Sequence, residues 1–138
     1  MENVTKEIRE TTNSDRGDYP IVDIGDQTFT FYADIDNDGS VEKIHYYLNS
    51  NNFKQGVIKA GVSKDYSSAE ASSTLASSVN NQTEPIFSYF DSNGATTTLI
   101  NNVRMISVRL KINVTPWRAP LDYYLESNTE LRNLKDNL

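Results

Sequence analysis

The segment FYADIDNDGSVEKIHYYL, Phe31 to Leu48, sets Asp34, Asp36 and Asp38 at alternate positions and follows them with Gly39. Carboxylates at positions one, three and five, glycine at six and an apolar residue at eight are how a calcium loop of the EF-hand kind begins. Hard oxygen ligands converge on one ion, and the glycine allows the sharp bend between them. Val41 fills position eight, and Glu42 at position nine adds a carboxylate. Position twelve is His45, which lacks the two oxygens with which a glutamate closes the shell. The flanking segments also alternate like strands, where an EF-hand has helices. The favoured expectation is therefore a turn with solvated carboxylates and no cofactor. The alternative is a calcium site, with Asp34, Asp36, Asp38 and Glu42 as its ligands.

Other chemistry is thinly represented. His45 is the sole histidine and cysteine is absent, so a serine–histidine triad has one place to form and a thiol nucleophile or zinc thiolate has none. Neither a nucleophile elbow nor a glycine-rich phosphate loop is present. No residue is assigned as catalytic, and an enzyme is the lowest-ranked function class. Trp117, with Tyr32 and Tyr47, could form a platform for a sugar ring, but a lone tryptophan is more often a loop anchor over the core. The sequons at Asn3, Asn81 and Asn113 are expected by chance in a chain this rich in Asn and Thr.

A chain of 138 residues fits one domain and can bury a core without disulfides or metals. Thirteen basic against nineteen acidic residues give a net charge of −6, which repels a phosphate backbone, so no nucleic-acid partner is expected. Arg104, Arg109 and Lys111 are read as the wet face of a strand. No segment approaches the roughly 18 apolar residues of a membrane span.

The elements that must position these residues follow from periodicity. Val4 and Ile8, four apart among charged neighbours, predict a short amphipathic helix over residues 2–12, marginal by itself in water. Asn13 to Pro20 stops it. From Gln27 to Leu48 the period becomes two. An Asp38-Gly39 turn would oppose Asp34 to Lys43, Ala33 to Ile44, Tyr32 to His45 and Phe31 to Tyr46. Phe29, Phe31, Ala33, Ile44, Tyr46 and Leu48 then share one face, while Thr30, Tyr32, Asp34, Lys43, His45 and Tyr47 share the other, with Asp34 and Lys43 as a cross-strand ion pair. Leu75 and Val79 suggest a short helix from about Ser68 to Val79. PIFSYF reads as a strand before an Asn93-Gly94 turn. Ile106, Val108, Leu110, Ile112 and Val114 mark the inner face of the clearest strand, and the tail is read as a strand through about Leu134. The sum is α+β, an N-terminal helix packed on antiparallel sheet, with residues 27–138 mostly strands.

Taken in order, EIRETTNSDRGDYPIV, FTFYADIDNDGSVEKIHYYL, FKQGVIKAG, EPIFSYFD, VRMISVRLKINV and ELRNLKDNL resemble the soluble part of type IV pilin-like proteins, nearest to the J-type minor pseudopilins of type II secretion. The block from Phe31 to Leu48 is the most specific element, and Leu131, Arg132 and Asn133 are a weaker marker. The resemblance implies a pilin-like single domain over residues 1–138, with residues 1–12 as the end of a longer helix whose apolar membrane part is missing. It implies a structural subunit of a pilus or secretion filament in the cell envelope, on the periplasmic or extracellular face and anchored in the cytoplasmic membrane through that helix. Expected partners are other pilin or pseudopilin subunits, the prepilin peptidase and the inner-membrane assembly platform. Val4 and Ile8 are the expected docking face, toward neighbouring subunits or the domain's own sheet.

Overall fold

A computed structural model of the chain describes residues 2–113 and 123–134. The chain begins with α1 (Glu2–Arg9), then runs through β1 (Ile21–Ile24), β2 (Thr28–Ala33), β3 (Glu42–Asn49), β4 (Asn52–Ile58), β5 (Ala71–Ala76), β6 (Phe87–Phe90), β7 (Met105–Ile112) and β8 (Tyr123–Glu130). The strands form two antiparallel sheets, one in the order β1-β2-β3-β4-β5 and the other β6-β7-β8. Consecutive strands pair throughout each sheet, as short connections between antiparallel neighbours dictate.

This corrects the expected α+β, pilin-like arrangement of an N-terminal helix packed on sheet. The described residues are predominantly β, and the eight-residue α1 is the single α-helix among them. The physical reason is length. Two helical turns reach about 12 Å and cannot cover a sheet face, so the two sheets bury one another. Phe87 of β6 lies 5.9 Å from Phe29, 6.1 Å from Phe53 and 6.4 Å from Tyr46, ring centre to ring centre. Tyr89 reaches across with its hydroxyl between the carbonyl oxygens of Gly25 and Thr28, at 2.8 and 2.9 Å. Val4 and Ile8 add two buried side chains to this common core, worth about 1.5–3 kcal/mol each. They face the chain's own interior.

The hairpin of β2 and β3 keeps the expected faces and changes its register. Ala33 opposes Glu42, Tyr32 opposes Lys43 and Phe31 opposes Ile44, a shift of two residues from the reading built on a two-residue turn. Because side chains alternate with period two, such a shift returns every residue to the same face. Phe29, Phe31, Ala33, Ile44 and Tyr46 are all buried. Lys43 is not opposite Asp34. On the other face Tyr32 is buried too, because the Tyr66 ring covers it at 5.0 Å.

Two further expectations change. Residues 71–76 form strand β5 and not part of a helix from Ser68 to Val79. Leu75 is exposed and Val79 buried, so the two do not share a helical face. Serines compete with a helix for their own backbone groups, and the open side of β4 offers this stretch a ladder. The tail strand ends at Glu130 and a 3-10 turn covers Arg132–Leu134. The clearest predicted strand forms as β7, with Ile106, Val108, Leu110 and Ile112 all buried; Val114 and Trp117 lie outside the described residues.

Candidate functional site

The connection from β2 to β3 is built by its own acidic side chains. The Asp34 carboxylate accepts N–H groups from Asp38 (3.2 Å) and Gly39 (2.9 Å), and Asp38 accepts from Ser40 at 2.8 Å. These bonds wrap the chain around the Asp34 carboxylate in place of a tight turn, which is why the ladder stops at Ala33 and restarts at Glu42. Gly39 takes φ 86°, a left-handed conformation that costs glycine nothing. The bond from the Ser40 N–H leads the influences that hold the Asp38 carboxyl below its usual range.

Two neighbouring loops fix this connection from outside. Asp15 accepts the Ser40 hydroxyl at 2.9 Å and the Val41 N–H at 3.1 Å. The Tyr66 hydroxyl donates to the Val41 carbonyl at 2.8 Å and accepts the Asp15 N–H at 3.2 Å. The exit of the loop, and with it Glu42, is thus held by chain from three parts of the sequence.

Glu42 is the residue whose setting the sequence conceals. It opens β3 on the core-facing side, retains 2% of its surface and has one carboxyl oxygen, Oε1, without a hydrogen-bond partner. Ligand atoms of Asp34, Asp36, Asp38 and Glu42 all lie within 4.8 Å of one another. Burial first, and then the negative charges of Asp36, Asp38 and Asp34, push the Glu42 carboxyl up to about 8. The ammonium of Lys59 stands 3.6 Å from Asp36 on a largely exposed side chain. All four candidate metal ligands are therefore brought together.

His45 is not. It lies on the opposite face of β3 from Glu42, with Nδ1 3.4 Å from the Glu70 carboxylate and its ring stacked on Tyr47 at 4.6 Å. Tyr32 lies buried beneath Tyr66 and offers no open sugar platform. The Asn81 amide is occupied, donating to the carbonyls of Arg109 (3.0 Å) and Glu84 (3.3 Å) while accepting the Lys111 N–H at 2.8 Å.

Beside the acidic loop opens a groove of about 530 Å³, lined by Lys6, Glu7, Asp34, Ile35, Gln55 and Leu75 among others. Its floor holds a polar knot: Gln55 Nε2 reaches both Glu7 oxygens at 2.6 and 2.7 Å, and the Tyr46 hydroxyl donates to Glu7 at 3.2 Å. Desolvation raises the Glu7 carboxyl above its usual value, with the bonds from Gln55 and Tyr46 pulling the other way. Beyond Leu75 the end strand of the larger sheet, β5, is exposed from Ala71 to Leu75 and carries neither charge nor proline. No protein-family model matches the chain, and no curated protein matches it.

Proposed function

We propose that the chain is a non-catalytic assembly subunit, a minor pilin or pseudopilin of a type IV pilus or type II secretion filament, that works by docking to neighbouring subunits. The observation that carries the reading is the edge of β5. Edge strands present a row of backbone donors and acceptors on which another strand can form, and proteins that avoid this place lysine, proline or a bulge there. ASSTLA has an irregular register at its Ala76 end and none of the other two devices. The occupant is a strand of a neighbouring filament subunit. The ordered segments that resemble pilin-like proteins favour that setting, and the burial of Val4 and Ile8 moves the docking surface from α1 to the sheet edge.

The resemblance supplies the remaining partners, a prepilin peptidase and a membrane assembly platform, and places the subunit at the cell envelope. Among the described residues no helix is long and apolar enough to cross a membrane. The test is filament composition. Filaments sheared from the cells that make this protein should contain it, and Thr74→Lys in β5 should deplete it from them while its melting temperature stays unchanged. Absence of the wild-type chain from the filament fraction removes the reading, and undiminished incorporation of the variant removes the edge.

A further inference from the structure

We propose that Asp34, Asp36, Asp38 and Glu42 form a calcium site, in which Glu42 closes the coordination shell from the buried side of the hairpin. The proposal stands apart from filament assembly and does not depend on it.

Three exposed or half-exposed aspartates in a loop would be unremarkable without the fourth group. Glu42 is 98% removed from solvent, as its 2% exposure states, and its Oε1 meets no donor. A buried carboxylate oxygen left without a hydrogen bond or a cation is costly once charged. Yet the side chain brings a ligand atom within 4.8 Å of those of three more carboxylates. A cation between them supplies what the arrangement lacks.

The size of that space admits calcium, and four protein carboxylates around one ion suit calcium better than magnesium, which keeps several of its waters. Calcium binds oxygens at about 2.4 Å, so two ligands on opposite sides of it stand about 4.8 Å apart, whereas octahedral magnesium would need about 4.1 Å. The widest separation among the four ligand atoms is within 4.8 Å. All four donors are carboxylate oxygens, which suit a hard cation and offer nothing to zinc or copper that those metals prefer. Four carboxylates leave part of a six- to eight-oxygen shell for second carboxylate oxygens, backbone carbonyls or water. Lys59 meets Asp36 by an exposed side chain that can swing away when the ion enters.

His45 takes no part. The position that EF-hands fill with a bidentate glutamate is vacated here, and its work passes to position nine, because a strand leaving the loop turns position nine inward and position twelve outward. The difference between a helical and a strand exit relocates the closing ligand.

Calcium chloride titrated into the full chain at neutral pH and physiological salt should give heat for one ion per chain, with a dissociation constant between about 10⁻⁶ and 10⁻³ M. The melting temperature should rise with calcium and fall back with chelator. Glu42→Gln keeps the side chain's shape and should weaken calcium at least tenfold, and Asp36→Asn, at an exposed loop position, should also weaken it. His45→Ala should bind as the wild type does. If Glu42→Gln fails to fold, Asp36→Asn and the wild-type calcium–magnesium comparison decide alone. No heat and no change in melting temperature at about 10 mM calcium, undiminished affinity in the variants, or equal affinity for magnesium would each overturn the proposal.

Discussion

Glu7 shows how one side chain can be both anchor and liability. Its carboxyl is held under the larger sheet by Gln55 and Tyr46, and burial raises its proton affinity above that of the unfolded chain. A carboxyl whose folded value is raised contributes most below the unfolded value, and that contribution is lost as pH rises through the folded one. Glu7→Gln removes the titration. The stability of Glu7→Gln relative to wild type, followed by thermal melts, should therefore increase from pH 4 toward neutrality. A difference that shrinks over that range would show that the bonds from Gln55 and Tyr46 outweigh desolvation. Tyr66 is the corresponding single residue at the acidic loop. Tyr66→Phe deletes a hydroxyl that serves both Asp15 and Val41, and should cost about 1–2 kcal/mol in denaturant unfolding.

At the scale of elements, the acidic loop and β5 show what a sequence can and cannot announce. Which residues of β2 and β3 face inward is legible, because alternation survives any even shift in pairing. The register itself is decided by Asp34, whose side chain takes the Asp38 and Gly39 N–H groups and so holds the chain in a loop wider than a two-residue turn. Three of the four candidate ligands stand out by spacing, and Glu42 could be included by position. Its burial could not be foreseen, since that depends on where β3 resumes and on the loops containing Asp15 and Tyr66. The strand β5 has no such signal. An edge strand with five exposed residues has no buried face to impress a period on its composition, so the spacing of Leu75 and Val79 reads as a helix. Its exposure makes its own prediction: Leu75→Ala should change stability by less than about 0.5 kcal/mol, measured by urea unfolding, whereas a residue inside a helix–core contact would cost several times more.

For the molecule as a whole the question is whether two sheets make one cooperative unit. A three-stranded sheet such as β6-β7-β8 needs a surface on which to bury its apolar face, and it finds one in the aromatic residues of the larger sheet. Phe87 stands at that junction, against Phe29, Tyr46 and Phe53, while Val79 to Asn81 bridge to β7 through Ile112, Lys111 and Arg109. Neither sheet can lose this contact without exposing the other. Unfolding followed by backbone circular dichroism and by tyrosine fluorescence should therefore give coincident single transitions. Phe87→Ala should lower the stability seen by both probes together, by about 3–5 kcal/mol, a large part of the 5–15 kcal/mol typical of a domain. If instead the variant splits the transition, with the five-stranded sheet melting near the wild-type midpoint, the sheets are independent units. In that case the aromatic contact between them is a docking surface within the chain, and α1, which places Val4 and Ile8 in the same core, would have to be assigned to one sheet or the other.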